Sequence, residues 1–413
     1  MPEYHALSDK NIKDTYFQLI PRDILNLLKS YIYNQLIFIG DNQHGQFGNG
    51  NTTSILIPDI KTFNDNYVND LFCGPDYSII NIDTKLYISG RVSSLGLRAP
   101  LSISNLLLQK CTRGFMALKA FNRLKLVPKK VACGDEFIAI LTTNGNLYTL
   151  GINHHGLLGI GHKRKRGINL IDNDVSDIST GHSHTIYLKD QKIYAFGANK
   201  YGALGYKHST VIYSPEWIPG FYDVSEIFCG YNITAFFDNW ILSDTNYPHL
   251  YVCGDNTDFV LANGFEDTIF GPVNLEIDTY SKIHDKNHLR KDSNNVPSKL
   301  SFGYHHACAI IHNQLFVRGS NKNGQLGLGT TQYLPLLCHI DFFDGQIVED
   351  VICGFNTTIV KADGIYYGTG NNEYGQLGLG DKMDRNTWTP LLELSRRNPR
   401  KLILTKNYLG MLI

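Results

Sequence analysis

A nine-residue glycine pattern returns along the chain, and no feature of the sequence limits the fold more tightly. From Gly40 the residues run Gly-Asp-Asn-Gln-His-Gly-Gln-Phe-Gly, with Gly45 and Gly48 inside the pattern. Close copies open at Gly151, Gly197, Gly319 and Gly370, with inner glycines at Gly156, Gly202, Gly324 and Gly375. Two worn copies open at Gly90 and Gly254, which makes seven units beginning 46 to 65 residues apart. Self-similarity at this period marks a repeat architecture, and the spacing suits one four-stranded blade with a loop of variable length.

Each copy follows a short apolar run such as Leu36-Ile37-Phe38-Ile39 or Ile193-Tyr194-Ala195-Phe196. These runs have strand length and strand composition. The glycines then supply turn conformations closed to other residues, and the Asn between them can bond local backbone. A second motif precedes the next strand: Cys73-Gly74, Cys133-Gly134, Cys229-Gly230 and Cys353-Gly354, with variants Thr180-Gly181 and Phe302-Gly303. Three residues after each glycine stands Tyr77, Phe137, His184, Ile233, His306 or Thr357.

The paired motifs, Cys-Gly plus a strand and then Gly-x-Asn-x-x-Gly-Gln-Leu-Gly, resemble the repeats of the regulator of chromosome condensation family. The resemblance runs from about Leu36 to Ile413. It implies an all-β fold, a seven-bladed β-propeller of four-stranded antiparallel blades over residues 35–413. Trp-Asp repeats and kelch blades are set aside, since neither a Trp-Asp dipeptide nor a Gly-Gly doublet occurs. The chain opens on a strand that normally follows a Cys-Gly strand and ends with Leu402-Ile403-Leu404-Thr405 through Ile413. That last stretch reads as a worn Cys-Gly strand with Thr405 in the cysteine position, so the two ends are expected to share one blade and remove the open sheet edges.

Several features resemble sites and are read as structure. Gly324 to Gly329 and Gly375 to Gly380 look like phosphate loops, but such a loop opens a helix and no helical pattern follows. The cysteines at 73, 133, 229 and 353 fall one per repeat, and none of Cys111, Cys253, Cys308 and Cys338 forms a Cys-x-x-Cys pair. His182 and His184 have a spacing a metal can use, yet His184 and His306 stand at the repeat's own packing position. No Gly-x-Ser-x-Gly elbow or paired carboxylates appear. No catalytic residue, metal or cofactor is expected, and the chain reads as a non-enzymatic protein-interaction scaffold.

Function in such a fold sits in the loops. The stretch Leu97 to Lys130 carries Arg113, Lys119 and Arg123 among eight basic residues and no Asp or Glu. It reads as a hairpin, a short helix or a wedge for a partner. Lys163, Arg164, Lys165 and Arg166 form a second basic run, suited to an acidic or phosphate-bearing surface. Ile277 to Lys299 is polar, and disorder is its simplest reading. Residues 1–34 carry an amphipathic helix over Leu19–Tyr31 that is similar to the opening helix of an F-box, or caps the ring. Lys plus Arg equal Asp plus Glu at 38 each, so a global charge for nucleic acid is lacking. With no signal peptide or apolar span, eight cysteines suggest a reducing intracellular compartment, cytoplasmic or nuclear. The family resemblance also implies guanine-nucleotide exchange on a small Ran-like GTPase as an alternative function, and the F-box likeness a ubiquitin-ligase adaptor. The partner is expected to be protein, the chain a monomer without membrane contact.

Overall fold

The computed structural model describes residues 35–58, 68–97, 112–162, 167–206, 211–239, 248–261, 268–275, 279–280, 289–290 and 296–413. Strands gather into seven sheets, antiparallel throughout except for one parallel pairing at the outer edge of blade 6. Blades 2, 3, 4, 5 and 7 have four strands in sequence order. Their first strands are Val68–Cys73, Pro128–Cys133, Val175–Thr180, Val224–Cys229 and Val348–Cys353. Blade 6 begins with Lys299–Phe302. Two further strands, Thr279–Tyr280 and Leu289–Arg290, extend its outer edge, with Tyr280 opposite Cys338. The polar insertion read as disordered therefore contributes backbone to a sheet.

Blade 1 closes the ring. Leu36–Gly40 pairs with Tyr408–Leu412 in antiparallel register, Leu36 opposite Leu412 and Gly40 opposite Tyr408. Tyr408–Leu412 pairs in turn with Lys401–Leu404. Among the described residues, an isolated bridge from Gly40 to Ile55 stands where the other blades have a fourth strand. Joining the two ends in one sheet leaves neither the first nor the last blade with an unpartnered flank.

The expectation for Thr405 is corrected by this closure. Its N–H donates to Tyr408 O at 2.9 Å, the bond that Gly74 makes to Tyr77 and Gly354 to Thr357 in their own turns. Thr405 thus occupies the glycine position, and Leu404 the cysteine position.

Two faces of each sheet must be covered, and a blade has only its neighbours to do it. Among the described residues only two small apolar clusters stay within a single blade, and the larger ones accordingly lie between blades. One joins Phe72, Ile88 and Leu118 of blade 2 to Val131 and Ile140 of blade 3. Another joins Ile359 and Leu391 of blade 7 to Ile37 and Met411 of blade 1. This explains why second strands such as Phe137–Thr142 and His306–Ile311 are buried at every residue. A strand covered on both faces has no polar alternation to show.

At four of the seven turns the residue three after the glycine position, Tyr77, His184, His306 or Tyr408, latches one blade to the next. Tyr408 of blade 1 donates its hydroxyl toward Tyr77 O at 2.7 Å, with Gly74 O at 3.0 Å. Tyr77 does the same to Gly134 O at 2.8 Å in blade 3. The Tyr77 ring lies over its own turn glycine: a Cβ on Gly74 would meet it at 2.3 Å. His184 and His306 use imidazole instead. Thr234 donates to Ala203 O at 2.6 Å, so His184 Nε2 at 3.1 Å must be the donor to its hydroxyl. His306, Thr358 and Gln325 O repeat this relay at 3.0 and 2.7 Å.

Two predictions follow from these latches. Deleting residues 405–413 removes the middle strand of blade 1, and a fluorescence melt should lose its cooperative transition; an unchanged melting temperature refutes the closure. His184 is held neutral, its pKa pushed down to about 4 by burial first and by the neighbouring His182 second. Its folded pKa lies below an unfolded value of about 6.5, so stability is complete above that pH and is lost as pH falls toward 4. Urea titrations at about pH 7 and about pH 4.5 should differ by about 2–3 kcal/mol from this residue, a difference that shrinks in His184→Gln.

Candidate functional site

Antiparallel order sends all seven Cys-Gly turns and all seven glycine loops to one face, called here the front. The turns from second to third strand and the connections between blades go to the back. First strands of successive blades pack side by side around the axis. Their turns, from Cys73-Gly74 round to Leu404-Thr405, line a central cavity of about 400 Å³.

The Asn of each glycine loop works as the sequence suggested. Its side-chain oxygen accepts the N–H five residues on in six blades, as in Asn199 to Leu204 at 2.8 Å and Asn321 to Leu326 at 2.9 Å. The Asn321 amide donates onward to Thr330 O at 2.8 Å. The worn copy after Gly254 keeps the bond, Asn256 accepting from Leu261 at 2.7 Å. The worn copy after Gly90 has no such Asn and instead buries Val92 and Leu95 from a short 3-10 turn. Each loop wedges into the next blade: a Cβ on Gly324, whose φ is +79°, would come 2.5 Å from Asn386 Cα.

The residue directly after each turn glycine faces the axis. Going round, these are Pro75, Asp135, His182, Tyr231, Tyr304, Phe355 and Lys406. Four of them form one ring system. His182 stacks on Tyr231 at 4.1 Å, Tyr231 meets Tyr304 edge-on at 4.6 Å, and Tyr304 stacks on Phe355 at 4.2 Å. Lys406 Nζ lies 5.0 Å above the Phe355 ring, and His182 Nε2 lies 3.7 Å from the Asp135 carboxylate. Burial pulls the His182 pKa down while Asp135 and Glu136 pull it up, and the net shift is downward. Backbone bonds tie the turns together: Asp135 donates to His182 O, His182 to Tyr231 O and Tyr304 to Phe355 O, at 2.8 to 3.1 Å. Tyr231, Tyr304 and Phe355 remain half-buried and Lys406 is exposed. The arrangement is a rigid aromatic floor with a cation on one side and a carboxylate on the other.

Behind this floor the third residues of the complete first strands, with Lys299 and Lys401 in the two shortened ones, form a second ring. They are Asp70, Lys130, Asp177, Glu226, Lys299, Asp350 and Lys401. Lys130 pairs with Asp177 at 2.7 Å, Lys401 with Asp70 at 2.6 Å, and Lys299 with Asp350. Each pair crosses a blade boundary. Neither ring was seen in the sequence, although the position after each Cys-Gly glycine is the one place in that turn where aromatic side chains recur.

The basic candidates do not come together. Arg113 lies in the fourth strand of blade 2, Thr112–Ala117, which starts opposite Gly90 at the front. Lys119 and Arg123 belong to the short helix Lys119–Asn122 and its C-cap, on the connection to blade 3 at the back, and both are exposed. Lys129 and Lys130 are engaged with blade 4, through Ser176 O and Asp177. The insertion thus combines a strand and a short helix, divided between two faces. Lys163, Arg164, Lys165, Arg166 and the helix at Leu19–Tyr31 lie outside the described residues.

His306, Cys308 and Cys353 place ligand-type atoms within 4.8 Å of one another across blades 6 and 7, a grouping that Cys-x-x-Cys spacing does not reveal. The His306 relay already uses its Nε2 proton, and Cys353 Sγ donates to Ser301 O at 3.4 Å. The group is read as packing. His182 and His184 diverge, one to the axis and one into the blade interface.

Residues 129–157 and 190–237 match family models described as the regulator of chromosome condensation (RCC1) repeat. The chain is a seven-bladed β-propeller that carries regulator of chromosome condensation repeats over those two stretches, in its third, fourth and fifth blades. Among individual proteins, it is 24% identical over 396 residues to the ultraviolet-B receptor UVR8 of Arabidopsis thaliana, covering 89% of this chain and 81% of the receptor. It is 40% identical over 97 residues to the human X-linked retinitis pigmentosa GTPase regulator, covering 23% of this chain and only 10% of that protein. The solved structure of Prp20p from Saccharomyces cerevisiae superposes with a TM-score of 0.73 at 15% identity, over 92% of this chain and 91% of that one. At that identity the likeness speaks for the fold. Among the described residues no helix is long and apolar enough to cross a membrane.

The loop pin gives a direct test of how the front is held. Asn321→Ala leaves the Leu326 N–H and Thr330 O without their partner, and urea denaturation should show a loss of about 1–3 kcal/mol. Asn386→Ala, whose side-chain amide reaches only the exposed Gly329 region at 3.2 Å, should cost well under half of that.

Proposed function

We propose that the chain is a protein-interaction platform, with no chemistry of its own side chains, whose partner docks on the front and is anchored at the axis. The aromatic floor of His182, Tyr231, Tyr304 and Phe355 carries this reading. Aromatic side chains in a rigid, partly desolvated depression, rimmed by polar groups, have the make-up of a binding hot spot. Lys406 and Asp135, on opposite sides of the floor, favour a segment that carries both charges around an apolar anchor. Seven free cysteines among the described residues suit an intracellular setting, cytoplasmic or nuclear.

The exchange-factor reading rests on a separate observation, the likeness in fold to Prp20p, whose structure is described together with its binding to Gsp1p and histones. A small GTPase is the partner class this suggests. The ubiquitin-adaptor reading has only the amphipathic pattern at Leu19–Tyr31 behind it.

Affinity capture with the intact chain, a Tyr304→Ala/Phe355→Ala variant and a back-face Lys119→Glu/Arg123→Glu variant separates the faces. Binding should fall by about thirtyfold or more in the first variant and stay within about twofold in the second. The reverse pattern overturns the front-face assignment. Reversing charge at Lys163 to Arg166 tests the basic run in the same assay. Release of a fluorescent nucleotide from a panel of small GTPases decides the exchange reading, which fails if no member is accelerated.

A further inference from the structure

The residue before each loop-opening glycine stands one or two places from the end of the third strand of its blade. It is Ile39, Ser89, Leu150, Phe196, Cys253 and Thr369 in six blades, and Arg318 in blade 6. Arg318 is only 2% exposed. One guanidinium nitrogen, Nη2, donates to Phe259 O and to Pro335 O. Nε and Nη1 are buried and meet no partner among the described residues. Burial in this apolar setting draws the Arg318 pKa down to about 9 against an upward pull from Cys338, and no carboxylate among the described residues adds to that pull. An isolated buried cation is among the least favourable arrangements in a folded protein unless a counter-charge joins it.

Arg318 lines a cavity of about 80 Å³ between blades 5 and 6. The remaining wall is apolar and includes Leu250, Val252, Leu261, Leu300, Ala309 and Leu337. One water needs roughly 10–15 Å³ of such space, which leaves room for roughly five to eight heavy atoms. Water alone suits the site poorly, since the walls offer it almost no hydrogen bonds. A phosphate or other multiply charged anion would bring more charge than one guanidinium answers. A singly charged carboxylate with a short alkyl chain matches both the lone cation and the apolar wall.

We propose that this cavity binds a short alkyl carboxylate, its anion on the free Nε and Nη1 groups of Arg318 and its chain against the blade 5 and blade 6 walls. The site is separate from the axial floor and stands whether or not the interaction reading holds. Occupancy would join two blades whose interface includes the worn fifth copy of the repeat.

Melting of the full chain in sodium butanoate or sodium hexanoate, against butan-1-ol and sodium chloride, tests the assignment. A saturable rise of about 1–3 °C at about a hundred times Kd is expected from a carboxylate alone. The rise should vanish in Arg318→Met, and also in Ala309→Leu, which fills the cavity while keeping the cation. The carboxyl resonance of 13C-labelled butanoate should broaden with the unaltered protein and sharpen when hexanoate competes, a readout that does not depend on either variant folding. No saturable response, an equal response in Arg318→Met, or the same response to chloride would overturn the proposal.

Discussion

A sheet in a ring can bury its two faces only against the sheets beside it, and everything else in this molecule answers to that constraint. The larger apolar clusters lie across blade boundaries, and so do the Tyr and His latches and the lysine–carboxylate pairs of the first strands. A blade removed from the ring would expose both faces at once. Stability is therefore a property of closure, in contrast to open solenoids where repeats add one at a time. Tyr408 shows the point in one residue: it sits in the strand that joins the chain ends and hydrogen-bonds across into blade 2.

The latch position also shows how one structural task tolerates different chemistry. Tyr77 and Tyr408 reach a carbonyl directly, whereas His184 and His306 need a threonine hydroxyl as an intermediate. Phe137 and Ile233 stand at the same place and bring only apolar contact. The polar latches add direction to interfaces that are otherwise held by burial. Because their donors and acceptors are fully enclosed, losing one partner leaves the other stranded, so the cost exceeds the net worth of the bond.

What could be read in the sequence was whatever is local. The glycine loop announces itself because its turn, its Asn pin and its close approach to the next blade all fall within about ten residues. The Cys-Gly turn is legible for the same reason, since Gly74 is required by the ring of Tyr77 three residues on. Thr405 was misplaced by one residue because only the bond to Tyr408 O identifies which residue replaces the glycine. The axial floor was not legible, since its four rings come from turns spread between residues 182 and 355 and meet only when the ring closes. Arg318 was hidden differently: nothing in a strand ending Phe-Val-Arg-Gly reveals that its guanidinium will be enclosed. The basic stretch after Leu97 looked like one patch because sequence proximity conceals the front-to-back passage of a strand.

Sevenfold repetition supplies a frame, and its departures from symmetry are where specificity can arise. If each turn placed the same residue at the axis, a partner could bind in seven equivalent rotations and none would be preferred. Here the aromatic residues come from blades 4 to 7, while blades 2 and 3 contribute Pro75 and Asp135 and blade 1 contributes Lys406. The depression therefore has an apolar arc, an acidic side and a basic side, at fixed angles set by blade geometry. A bound segment would have its orientation chosen by charge and its position by ring stacking. The backbone bonds between neighbouring turns keep those angles from relaxing, so little ordering remains to be done on binding.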